Sequence, residues 1–93
     1  MKLRYTQRAL EDLSAILDYI AGHSPVGARR VQARIRSAID LLPQQPHIGV
    51  RTKDPAVRRL TVLPYSYIVL YEIVGEEIRI LTVSHSSRGS HPL

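Results

Sequence analysis

The segment from Val57 to His85 constrains the fold more than any other part of the chain. It reads Val-Arg-Arg-Leu-Thr-Val-Leu, a Pro64-Tyr65-Ser66 break, Tyr-Ile-Val-Leu-Tyr-Glu-Ile-Val, a Gly75-Glu76-Glu77 break, and Ile-Arg-Ile-Leu-Thr-Val-Ser-His. β-Branched and aromatic residues fill each run, and the breaks are short, so the segment predicts a three-stranded antiparallel meander. Period-2 alternation sets Tyr67, Val69, Tyr71 and Ile73 on one face of the middle strand and Ile68, Leu70 and Glu72 on the other. In the third strand it sets Ile78, Ile80 and Thr82 against Arg79, Leu81, Val83 and His85. Both faces are substantially apolar, so one needs helices from earlier in the chain and the other is a candidate surface for a partner.

The preceding residues supply those helices. Lys2–Tyr5 reads as a short edge strand, and Thr6 as the N-cap of a helix with Glu11 and Asp12 near its start. Ala9, Leu10, Leu13, Ile16, Leu17 and Ile20 recur at helical spacing, and Gly22 is expected to end the helix as a left-handed C-cap. Ser24-Pro25 restarts the chain as N-cap and first helical residue. A second stripe follows at Ala28, Val31, Ile35, Ala38, Ile39 and Leu42, with Arg29, Arg30, Gln32, Arg34 and Arg36 on the other faces and Pro43 as the stop. The two helices therefore form an antiparallel hairpin. Leu10, Leu13, Leu17, Ile20, Val31, Ile35, Ile39 and Leu42 are expected to pack on one face of the meander. Gln44–Ala56 is expected to be a loop, because Pro46, Gly49 and Pro55 oppose regular structure, and residues 86–93 an irregular tail. Residues 1–93 thus make a single α+β domain in the order β-α-α-β-β-β, with both helices on one face of the sheet.

Charge narrows the partners. Thirteen basic residues against eight acidic ones give +5, and eleven of the thirteen are Arg, a planar donor suited to phosphates or to the carboxylates of an acidic protein. No cysteine is present, so thiol chemistry is excluded and a reducing compartment is expected. No signal region or membrane-length apolar run is seen, which makes a soluble cytoplasmic protein the expectation. His47, His85 and His91 are too scattered for zinc, no phosphate-binding Gly loop occurs, and no cofactor is expected.

Four segments in this order resemble the RelE/ParE superfamily of toxins from type II toxin–antitoxin systems. They are Tyr5-Thr6-Gln7-Arg8-Ala9-Leu10-Glu11-Asp12-Leu13, Pro46-His47-Ile48-Gly49, Tyr65–Ile73, and Ile78-Arg79-Ile80-Leu81-Thr82-Val83-Ser84-His85-Ser86-Ser87-Arg88. The resemblance implies a toxin neutralised by a small cognate antitoxin, ParD-like or related, with an acidic tail. It also implies that operator DNA is met only through the antitoxin complex. The superfamily has two branches. Members resembling RelE cut messenger RNA on the ribosome, and members resembling ParE block DNA gyrase without cleaving nucleic acid.

A metal-independent ribonuclease needs a base, an acid and cations around one phosphate. The candidates are His85 as acid or base and Arg58, Arg59, Arg79 and Arg88 as charge stabilisers, with Arg51 and Lys53 reaching in from the loop. Against that branch, only Gly89-Ser90-His91-Pro92-Leu93 follow Arg88, and the loop offers one Lys. The His85-Ser86-Ser87-Arg88 ending looks more like ParE. The preferred expectation is therefore a gyrase inhibitor, not an enzyme, with His85, Ser86, Ser87 and Arg88 as target-binding residues. Arg58, Arg59 and Arg79 are expected to meet the antitoxin, although Arg58 and Arg59 point to opposite faces of their strand. The alternatives are a ribosome-dependent endoribonuclease and a non-toxic module that still binds an antitoxin.

Overall fold

Hydrogen-bonding side chains set the element boundaries. The computed structural model describes residues 1–86. Strand β1 (Lys2–Tyr5) runs directly into helix α1 (Gln7–Ala21), where Thr6 Oγ1 accepts the Ala9 N–H as N-cap. Helix α2 (Pro25–Ile39) starts in the same way, with the Gly27 N–H bonded to Ser24 Oγ and Pro25 at the first position, where its missing N–H costs nothing. The connection differs from expectation at Gly22, which has φ −62° and remains right-handed. The His23 and Ser24 N–H groups both bond the Ile20 carbonyl, so the chain turns without a left-handed residue. Helix α2 ends at Ile39, earlier than its stripe suggested, and Leu42 reaches the core from the turn ahead of Pro43.

Four further strands follow: β2 (Val50–Arg51), β3 (Val57–Val62), β4 (Tyr67–Val74) and β5 (Glu77–His85). The pair Val50–Arg51 lies in the segment expected to be pure loop. It adds two residues to the sheet edge by pairing with Arg59 and Arg58. Gly75 takes φ 61° in the two-residue β4–β5 turn, the positive value that the first position of such a hairpin demands. The sheet order is β1-β5-β4-β3-β2. All neighbours are antiparallel except β1 and β5, which run parallel. A parallel neighbour needs a crossover, and the α1–α2 hairpin with the strands after it supplies one.

Both helices cover one face. The core joins Ala9, Val31, Ile35, Ala38, Ile39 and Leu42 to Val62, Tyr67, Val69, Tyr71, Ile78, Ile80 and Val83. Leu13, Leu17 and Ile20 pack against its margin, but Leu10 is 50% exposed and is not a core residue. It sits at the end of a stripe wider than the strip of sheet α1 can cover. No helix among the described residues is long and apolar enough to cross a membrane.

On the uncovered face, register sets Arg4 directly opposite Arg79, two like charges on neighbouring strands. Glu77 neutralises both, at 3.1 Å from Arg4 and 2.6 Å from Arg79, and Glu72 lies 3.9 Å from Arg79. The hydrogen bond from Arg79 is the main reason the Glu77 carboxyl is held below the ordinary glutamate range, with Arg4 adding to it. A lowered folded-state pKa makes this contribution complete above the unfolded value and removes it as pH falls through the folded one. Melting temperature followed downward from about pH 5 should therefore fall less steeply in Glu77→Gln than in the parent, given an unfolded glutamate value of about 4.3. Parallel acid limbs would show that the triad contributes nothing.

Candidate functional site

The C-terminal half of β5 is shaped by one extra residue. Leu70 pairs with Thr82 but Tyr71 pairs with Ile80, so Leu81 is inserted opposite the Leu70–Tyr71 step as a β-bulge. The insertion resets the alternation. Val83 falls opposite Val69 and enters the core, and His85 falls opposite Tyr67 on the helix-covered face. Strict alternation predicted His85 and Arg79 on one surface. Arg79 instead pairs with Glu72 on the uncovered face, so the two side chains are on opposite sides of the sheet. That expectation is corrected, and the cause is the bulge.

His85 is half-buried, and its ring meets Tyr67 edge-on with centroids 4.9 Å apart and planes at 80°. The Ser86 N–H bonds the Ser66 carbonyl, which ties the end of β5 to the β3–β4 turn. In that turn Ser66 holds φ 62°, and the Leu63 carbonyl accepts Arg34 Nε from α2 at 2.7 Å. His85, exposed Ser86 and the Pro64–Ser66 turn thus form one corner of the molecule. Ser87 and Arg88, also expected to bind the target, lie outside the described residues.

Among the described residues, the arginine candidates Arg58, Arg59 and Arg79 do not join this corner. Arg58 lies on the helix-covered side of β3, where Nη1 donates to the His47 carbonyl at 3.2 Å and the Gly49 carbonyl at 2.8 Å. It holds a loop. Its cross-strand partner is Tyr71, four residues along β4 from Tyr67, or about 13 Å away. Arg59 faces the open side opposite Leu70. Arg79 faces the open side as well and is held by Glu77 and Glu72. Arg51 is an exposed strand residue opposite Arg58, and Lys53 an exposed loop residue. Among the described residues, no three His, Asp or Glu side chains are grouped to hold a metal ion.

The helical hairpin carries one further feature. Tyr5, Leu10, Leu13, Leu17 and Ile35, with Gln32 and Arg36 as polar members, line a groove of about 360 Å³ along the helical hairpin. Burial is the main reason the Tyr5 phenol is pushed up, with Asp40 adding to it and Arg36 opposing. The signal was the width of the α1 stripe, which carries more leucine than one contact with the sheet can bury.

Comparison with known proteins assigns relatives to this arrangement. The family model described as "ParE toxin of type II toxin-antitoxin system, parDE" matches residues 3–89. Toxin RelE2 of Caulobacter vibrioides is 37% identical over 84 residues, covering 90% of this chain and 93% of the relative. Among solved structures, the chromosomal ParDE toxin–antitoxin system from P. aeruginosa superposes with TM-score 0.80 at 30% identity, covering 91% of this chain and 95% of that one. The E. coli RelBE toxin–antitoxin complex gives TM-score 0.61 at 13% identity, covering 91% and 95%, which is a likeness of fold.

Proposed function

We propose, from the premise that this chain belongs to the family of ParE toxins of type II toxin–antitoxin systems, that it inhibits DNA gyrase by binding it. A cognate protein antitoxin would neutralise it, as the ParDE toxin–antitoxin system among its structural relatives supports. The observation that carries the choice of target is dispersal. RNA cleavage requires several groups within hydrogen-bond reach of one phosphate on a rigid support. Here His85 packs on Tyr67, Arg58 is committed to loop carbonyls about 13 Å along the sheet, and Arg79 is on the other face in an ion-paired cluster. Such a surface is better suited to binding a large partner through the corner at His85 and Ser86, with Ser87 and Arg88 following.

The antitoxin has two surfaces to use. An amphipathic helix fits the groove lined by Leu10, Leu13 and Leu17, with an acidic residue placed for Arg36. Carboxylates of an acidic tail fit Arg59 on the uncovered face, whereas Arg58 is occupied within the fold and Arg79 is already paired with Glu77 and Glu72.

Purified gyrase with the toxin added, run beside translating ribosomes, tests the reading. Supercoiling is expected to stop and messenger RNA to stay intact, with His85→Ala weakening inhibition by about tenfold, the equivalent of a single contact of 1.4 kcal/mol. Codon-positioned cleavage that His85→Ala abolishes, with supercoiling unaffected, would establish the ribonuclease instead.

A further inference from the structure

Strand β1 stops at Tyr5, opposite Ile80, so beyond that point β5 has no strand on its outer side. Its backbone groups there still need partners. The first turns of α1 provide them. The Thr6 hydroxyl reaches the Ile80 carbonyl at 2.7 Å and the Leu81 carbonyl at 3.2 Å, while the Thr6 N–H also bonds the Ile80 carbonyl. The Val83 N–H donates to Asp12 Oδ2 at 3.0 Å. These contacts bracket the bulged residue, Leu81, from both sides.

We infer that Asp12 and Thr6 are positioning residues. They clamp the bulge in β5 and thereby fix the face on which His85 and Ser86 are presented to the target. Without the inserted residue, alternation would carry Thr82 and Ser84 toward the helices and Val83 and His85 away from them. The observed register puts Val83, 3% exposed, in the core in place of Thr82 and Ser84, and the clamp adds to that preference. The bond from Val83 to Asp12, made beyond the inserted residue, belongs to the observed register. A bond from an amide to a carboxylate is charge-assisted, and this carboxylate is mostly shielded, with 19% side-chain exposure. The other oxygen of Asp12 takes Arg8 Nε at 3.1 Å, but Arg8 is 69% exposed and such pairs contribute little. The clamp, rather than the ion pair, is therefore the role of Asp12. Its link to the target rests on the reading that the end of β5 binds gyrase.

The test uses the purified chain in four forms. Asp12→Ala removes the acceptor, Asp12→Asn keeps one oxygen for the Val83 amide, Thr6→Val removes the hydroxyl at nearly constant shape, and Arg8→Ala removes only the ion pair. In Asp12→Ala and Thr6→Val, amide exchange at Val83 should quicken by about tenfold or more, as expected for local opening. The Tyr67–His85 ring contact in the NMR spectrum should weaken, and inhibition of gyrase supercoiling should fall by about tenfold or more, a loss of about 1.4 kcal/mol. Exchange at Ile78, before the bulge, should stay at the parent rate. Asp12→Asn should recover most of each loss, and Arg8→Ala should match the parent throughout. Unchanged Val83 exchange and an intact ring contact in Asp12→Ala would overturn the clamp. Loss of the ring contact with full inhibition would overturn its role in target binding and leave the gyrase reading standing. A parent chain inert toward gyrase would overturn the target reading, while the exchange and ring-contact arms still decide the clamp.

Discussion

Removing one oxygen atom, by Tyr71→Phe, is expected to destabilise the fold by about 2–4 kcal/mol, since each buried group left unpaired costs about 1–3. Tyr71 is fully buried in the middle of β4. Its O–H donates to the Pro46 carbonyl at 2.7 Å and accepts the Gly49 N–H at 2.9 Å. Burial pushes the phenol above its ordinary value despite the Gly49 bond and the nearby Arg58, so the proton needed for Pro46 is retained at neutral pH. Phe would keep the ring and strand both loop groups. Gly49 shows how closely the two segments meet. A Cβ there would stand 2.6 Å from Tyr71 Oη and 2.7 Å from Cε1. Gly49→Ala should therefore cost about 1–3 kcal/mol through overpacking. Tyr71→Phe should not rescue it, because the ring carbon obstructs as much as the oxygen. Urea unfolding of the two single variants and the double variant measures this, and a Tyr71→Phe loss below about 0.5 kcal/mol would contradict the two-sided bond, given the 1–3 expected for each group.

Ile35→Ala should cost about 2–5 kcal/mol, the range for deleting a fully buried aliphatic side chain. Ile35 is 1% exposed and belongs to the core that α2 shares with β4 and β5. It also forms part of the groove wall beside Leu13 and Leu17, which are only half-buried and have room to settle into the space left. That relaxation favours the lower half of the range. Leu10→Ala, on the same groove but 50% exposed, should lose well under about 1 kcal/mol, because less apolar area leaves water when it folds. Matched thermal and denaturant unfolding of the two variants separates floor from rim. Equal losses would mean that the α1 stripe is rotated from its observed position.

The elements were legible where the signal is local. Ser24-Pro25 marked the start of α2 and the alternation around Tyr67–Ile73 marked β4 without knowledge of anything distant. The reading failed where a boundary or a face depends on contacts far along the chain. Nothing around Leu81 resembles a bulge, since the residues that hold it, Thr6 and Asp12, reach Leu81 and Val83 from 75 and 71 positions earlier. The face of His85 was assigned by a rule that the bulge breaks. Val50–Arg51 is too short for any pattern and pairs only because Arg58 and Gly49 fix the loop beside β3. Arg58 looked like surface charge because an arginine that bonds main-chain carbonyls has the same sequence signature as one that waits for a partner.

The parallel pairing of β1 with β5 governs when this fold can close. Translation delivers the N-terminus first, at about 5–20 residues per second. During that time β1 has no ladder, and α1 lacks the strand it chiefly packs on. Contacts spanning 74 and 75 positions, such as Thr6 to the Ile80 and Leu81 carbonyls, form only after most of the closure entropy has been paid. A ribosome-bound chain ending before residue 77 has neither the closed sheet nor the corner at His85. The closed sheet, and with it the corner at His85, therefore forms only once residues 77–85 have been added to the chain.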